Sequence, residues 1–138
     1  MKSKLYILIF LLAFLLACDK PGTNCQQGAC TQEFRMINIQ TQDQTGKPAV
    51  ALKVDAINAR TKKQYSNIKS QTNPFNDVVS YTIATDGEKA DFSEKGDKLT
   101  VILTTTAAAF TADFVISGGS CACHISKISG PNTIVIEQ

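Results

Sequence analysis

The chain has 138 residues with 14 basic and 12 acidic side chains, a formal net charge of +2, one histidine and no tryptophan. It shows no basic stripe, no aromatic RNA-binding motif and no zinc-finger spacing, so nucleic acid is not an expected partner. Its length is that of one domain, enough to bury about two thirds of the unfolded surface around a single core.

The chain opens with the basic Met1-Lys2-Ser3-Lys4, followed by an unbroken apolar run from Leu5 to Ala17. Such a run is too short to cross a hydrocarbon core about 30 Å thick as a helix, and it suits the apolar region of a secretory signal. It ends in Leu15-Leu16-Ala17-Cys18, which resembles the lipobox of bacterial lipoproteins. The resemblance implies removal of residues 1–17 and covalent lipid, palmitate included, on Cys18, with no other cofactor. A plain secretory signal or an uncleaved anchor helix is the alternative. Without Lys2 and Lys4 the mature chain holds 12 basic and 12 acidic side chains and is close to neutral. The lipobox resemblance implies a membrane-anchored protein of the bacterial cell envelope, at the outer membrane or cell surface, with the periplasmic face as the alternative. Asp19-Lys20 stands where lipoproteins carry sorting signals, and the same pair also reads as solvated linker.

Residues 18–32 read as a tether containing Cys25 and Cys30, because Pro21, Gly22 and Gly28 leave no apolar face to bury. Residues 33–138 read as the folded domain. The mature composition is rich in Thr, Ser, Asn, Val and Ile, which favours strands. A first strand is expected over Glu33–Thr41, with Phe34, Met36, Ile37 and Ile39 supplying apolar groups. Asp43 to Pro48 forms a turn. Val50 to Asn58 then alternates, with Val50, Leu52, Val54 and Ala56 on one side and Lys53 and Asp55 on the other. A basic turn at 60–63, a short strand at 64–68 and a loop at 71–74 lead to a strand ending at Thr85. Residues 86–97 form a charged, Gly-punctuated segment. Further strands are expected at 99–105, around Phe110 to Ile116, at 121–128 and at 133–137. Seven or eight short strands without a convincing helix point to an all-β, antiparallel β-sandwich. Asp43-x-x-Gly46-x-Pro48, then Ala56-x-Asn58-x-x-Thr61 and Tyr65, resemble the opening of carboxypeptidase regulatory-like, transthyretin-type sandwiches. That resemblance implies a transthyretin-like fold; an immunoglobulin-like one is the other candidate. The stretch from Cys123 to Pro131 also resembles closing segments of small envelope lipoproteins, which implies no activity.

Cys25, Cys30, Cys121 and Cys123 form an even set in an exported chain and read first as disulfides. Three pairings are open. Closure of Cys25 on Cys30 is easy across a Gly-containing loop. A bond between Cys121 and Cys123 would be strained on a strand. Cross-links from the tether to the 121–123 region would close loops of roughly ninety residues, worth roughly 4 kcal/mol in the loop-entropy picture. The rival chemistry is a metal or thiol-redox site on Cys121, Cys123 and His124, since Cys with His suits zinc or copper(I). Alternation along a strand would turn His124 away from both cysteines. His124 reads first as a hydrogen-bonded structural residue, and any Ser-His-Asp triad would have to be built on it alone. Asp86, Glu88, Asp91, Glu94 and Asp97 lack EF-hand spacing and read as a solvated face rather than a calcium site. Arg60, Lys62, Lys63 and Lys69 offer contact with anionic lipid or glycan, or serve only to keep sheet edges apart. The scattered aromatics speak against an aromatic platform for sugars. No enzyme signature is present. The expectation is a non-enzymatic binding or adaptor module for another envelope protein or a glycan.

Overall fold

The computed structural model describes Cys25 and residues 29–137. Among the described residues nine strands form two sheets, an all-β sandwich: β1 (Met36–Gln42), β2 (Lys53–Asn58), β3 (Gln64–Tyr65), β4 (Ser70–Thr72), β5 (Val79–Thr85), β6 (Asp97–Thr104), β7 (Ala109–Ser117), β8 (Ser126–Ser129) and β9 (Thr133–Val135). One sheet has the order β4-β5-β1-β9 and the other β3-β2-β6-β7-β8. Pairing is antiparallel except between β1 and β9, which run parallel.

Period-2 patterning accounts for the sandwich. β1 turns Ile37, Ile39 and Thr41 inward, and β6 turns in Leu99, Val101 and Leu103. β7 adds Phe114 and Ile116, with Phe110 and Ala112 partly buried against the same core. Each fully buried Leu, Ile or Phe is worth about 1.5–3 kcal/mol of apolar burial, so these facing rows hold the sheets together. Gly130, just after β8, shows how closely the chain passes over an inward side chain of β7. Its φ is +125°, and a Cβ placed there would lie 2.3 Å from Cδ1 of Phe114. Only glycine satisfies both conditions.

Four expected elements differ. The loop expected at 71–74 begins as strand, because Gln71 and Thr72 belong to β4 and pair with Ser80 and Val79 of β5. The strand expected from Val50 starts instead at Lys53, and Val50 and Leu52 are exposed, Leu52 at 71%. Here the chain crosses from one sheet to the other, so alternation breaks phase. Ala49 and Ala51 turn inward, with the Thr41 hydroxyl donating to the Ala49 carbonyl and the Ala51 N–H to Tyr81 Oη at 2.9 Å. The strand expected at 121–128 is present only from Ser126. Residues 119–122 form a turn, with Ala122 N donating to Gly119 O at 3.1 Å. The segment after β5 is not wholly irregular, because Asp86–Asp91 forms a 3-10 helix. Its start is legible in retrospect as Thr85-x-x-Glu88, a capping box in which each side chain accepts from the other end's backbone N–H.

The sandwich has two distinct ends. Arg35, Asp86, the 3-10 helix and the 118–124 turn gather where β1 begins and β5 finishes, joined by Asp86 N to Arg35 O at 3.0 Å and Gly119 N to Lys89 O at 2.7 Å. The opposite end carries the 43–48 turn, the 73–78 turn and the 105–108 hairpin.

Candidate functional site

Four of the five cysteines and the single histidine converge on the first of these ends. Cys25 is bonded to Cys121 and Cys30 to Cys123, with Cα–Cα distances of 5.1 and 5.3 Å and sequence separations of 96 and 93. The tether residues therefore pair with the end of the domain, and neither the local Cys25–Cys30 bond nor the Cys121–Cys123 bond is formed. Disulfide sulfurs are not thiolates, and the thiolate is the form that ligates metal. Among the described residues no group of three or more His, Cys, Asp or Glu side chains is placed to hold a metal ion.

His124 lies on the turn rather than on a strand, so the face opposite the cysteines does not apply to it. Its side chain is 11% exposed, and it sits between two partners. Nδ1 is 2.7 Å from Asp86 Oδ2, and Nε2 is 2.8 Å from Thr31 Oγ1, with Glu33 Oε1 at 4.0 Å. Asp86 also accepts the backbone N–H groups of Arg35 (2.8 Å, Oδ2) and Ile125 (2.8 Å, Oδ1). Burial alone would raise the Asp86 pKa. The Arg35 amide, His124 and the Ile125 amide outweigh that and hold it below the ordinary carboxylate value. Asp86 thus clamps three segments of chain, the end of the tether, the end of β5 and the 121–125 turn.

The order Asp86–His124–Thr31 is that of a catalytic relay. What the geometry builds around it is a latch. The backbone N–H groups of Arg35 and Ile125 both donate to Asp86 and tie it to two other segments. Thr31 is held beside His124 by the neighbouring Cys30–Cys123 bond. The histidine joins the tether to the domain.

The acidic segment does not act as one face. Glu88 accepts the Thr85 N–H, and Asp91 Oδ2 pairs with Lys63 Nζ at 2.6 Å and accepts the Tyr65 hydroxyl at 3.0 Å. Asp97 is not solvated, because its side chain is only 3% exposed. It meets Arg60 Nε at 2.8 Å and accepts Ser93 N, Ser93 Oγ and Asn58 Nδ2. Burial opposes ionisation, yet Arg60, Ser93 and Asn58 together bring its pKa down to about 2. Arg60 and Lys63 are therefore committed to Asp97 and Asp91, which removes them from the basic patch offered for anionic lipid or glycan. Asn58, completely buried at the end of β2, also accepts the N–H groups of Arg60 and Thr61 and so fixes the basic turn. This network was not apparent in the sequence, where Asn58 and Asp97 are 39 residues apart.

Cys18 and residues 1–17 lie outside the described residues. No helix among the described residues is long and apolar enough to cross a membrane. Compared with protein-family models, curated proteins and solved structures, the chain matches none of them.

Proposed function

We propose that the chain is a lipid-anchored bacterial cell-envelope protein whose β-sandwich is a non-enzymatic binding module, held at the membrane through lipid on Cys18 and contacting a further envelope component. The observation that carries this reading is the double cross-link between the tether and one end of the sandwich. Cys25 follows Cys18 by seven positions, a reach of at most about 25 Å when fully extended. A lipid on Cys18 would hold the cross-linked end close to the bilayer and direct the 43–48, 73–78 and 105–108 loops away from it. Loops on a rigid scaffold are where binding surfaces are usually built. Several acyl chains, at about 0.8 kcal/mol per buried methylene, would make that attachment far more than marginal. The transthyretin-type reading of the sandwich draws support from the Asp43–Pro48 turn lying between β1 and β2, and from Asn58 closing β2. The metal or thiol-redox alternative on Cys121, Cys123 and His124 has less support, since the two cysteines pair with the tether and His124 with Asp86 and Thr31.

The test is fractionation of cells expressing the full chain. Cys18→Ala should move the protein from the membrane to the soluble fraction. If that variant stays with membranes through a salt wash, the anchor assignment is wrong.

A further inference from the structure

The outer faces of the two sheets differ in kind. The β3-β2-β6-β7-β8 sheet carries ion pairs outward, Lys53 with Asp55 at 2.6 Å and Lys98 with Asp113 at 2.7 Å. On the other sheet, the strand register aligns Gln71, Ser80, Gln40 and Thr133 in one row across all four strands, with Thr82 beside Asn38 in the next. None of these outward residues is ionisable, in a chain where 19% of residues are charged. The 73–78 turn and Asn132 rise at the margins of this face and leave a depression of about 440 Å³, lined by Asn38, Gln40, Ser80, Asn73, Asn76 and Asn132 with Val78.

The four asparagines share one arrangement. In each, the amide oxygen is already used: Asn38 Oδ1 accepts the Thr82 hydroxyl at 2.7 Å, Asn73 Oδ1 the Phe75 N–H at 2.9 Å, and Asn76 Oδ1 the Val78 N–H at 3.4 Å. Asn132 Oδ1 accepts from Lys127 Nζ. None of the four amide nitrogens has a partner among the described residues, and neither end of the Gln40 amide has one. These exposed side chains are thus oriented through their acceptors, with their N–H groups turned to solvent, where a ligand can replace water. On the same turn stands Phe75, 95% exposed, its backbone held by Asn73. Phe75 does not line the depression, but the turn that carries it supplies Asn73, Asn76 and Val78 to the lining, and an exposed phenyl ring on the same turn as a set of oriented amides is a pairing that a sugar satisfies. Hydroxyl and ring oxygens accept from the amides, and the C–H face of the ring lies on the aromatic.

We propose that this depression is a binding site for a neutral glycan, with Asn38, Gln40, Asn73, Asn76 and Asn132 as its polar contacts and Phe75 as its stacking platform. The proposal deepens the binding-module reading and rests on it. Its size is that of a small-ligand site, at the lower end of the usual range of roughly 300–1,000 Å³. No Lys or Arg lines the depression itself; the ammonium of Lys127 reaches its rim, where Asn132 Oδ1 holds it, and the anionic probe below tests whether that charge selects an acidic sugar. Protein interfaces are centred on apolar and aromatic anchors in desolvated pockets, and here Val78 is the only apolar lining residue. The site also lies toward the end of the sandwich remote from the disulfides, since Val79 pairs with Thr41 and Met36 with Thr85. Scattered aromatics make no extended platform, but a single exposed ring, Phe75, stands on the turn that borders the depression.

The test uses the full chain extracted in a sugar-free zwitterionic detergent, titrated calorimetrically with neutral hexasaccharides of glucose, mannose and N-acetylglucosamine, and with a uronic acid hexasaccharide as the anionic probe. At least one neutral probe should bind. Asn38→Ala and Phe75→Ala should each weaken binding about fivefold to tenfold, the effect of losing one hydrogen-bonded or stacked contact, while Lys98→Ala on the opposite sheet changes nothing. Unchanged unfolding midpoints will show that the variants fold. The proposal is overturned if no neutral probe binds at millimolar concentration, if Asn38→Ala and Phe75→Ala leave affinity unchanged, if the uronic acid probe binds more tightly, or if an envelope protein is found to need Asn38 and Phe75. Membrane fractionation of Cys18→Ala is read separately, so the anchor and the glycan site can fail independently.

Discussion

Removing the two disulfides one at a time and together should give strongly non-additive losses of stability. Either bond alone closes a loop of nearly a hundred residues, worth roughly 4.7 kcal/mol of denatured-state entropy. Once one is in place, the other closes only a small ring, made of the six residues 25–30 and the three residues 121–123. By the same relation that ring is worth roughly 2.5 kcal/mol. Cys25→Ala with Cys121→Ala, and Cys30→Ala with Cys123→Ala, should therefore each cost about 2.5 kcal/mol, and removal of all four cysteines about 7 kcal/mol. At about 4 °C per kcal/mol for a domain of this size, the corresponding drops in Tm are about 10 °C and 28 °C. The four side chains lie at the surface or only partly covered, so cavity terms add little. Thermal and urea unfolding of the oxidised proteins, followed by circular dichroism, provides the measurement. Equal single-pair losses that sum to the loss from removing all four would refute the reasoning, because they would mean that the bonds do not restrain a shared denatured-state loop.

Three more outcomes are expected. Asp97 has its folded pKa lowered from 3.8 to about 2, so its contribution is present above the unfolded value and is lost as pH falls from about 4 through about 2. Asp97→Asn should cost about 2 kcal/mol at neutral pH and only about 0.4 kcal/mol near pH 2, where the folded carboxyl is half protonated, and a pH-independent cost would rule out the charged network with Arg60. Gly130→Ala should destabilise by about 2–4 kcal/mol, since the methyl group would meet the Phe114 ring at a positive φ; a neutral effect in urea unfolding would contradict that packing. His124→Ala should cost about 1 kcal/mol and speed hydrogen exchange of the Ile125 and Arg35 amides, because Asp86 loses one of the three groups that position it. Unchanged exchange would remove the latch role.

What the sequence determined by itself was local. Apolar residues two apart placed Leu99, Val101 and Leu103, and Phe114 with Ile116, on the core side, because the pleat alternates faces whatever the neighbours are. The Asp43–Pro48 turn was legible for the same reason, glycine and proline acting through their own dihedral limits. Val50 and Leu52 were misread because the chain leaves strand geometry where it changes sheets, and periodicity carries no record of that. The tertiary structure alone decided how the cysteines pair, since any of three pairings satisfies the count and only the folded positions of residues 25, 30, 121 and 123 choose one. It likewise decided that His124 meets Asp86 and Thr31, and that Asp97 is buried against Arg60 rather than solvated. The amide-lined face belongs to the same class. Asn38, Asn73, Asn76 and Asn132 are ordinary polar residues along the chain, and strand register makes them neighbours. Side-chain alternation is a property of a few consecutive residues, whereas contacts between segments forty to ninety residues apart depend on which strands pair, and that is settled only when the whole core packs.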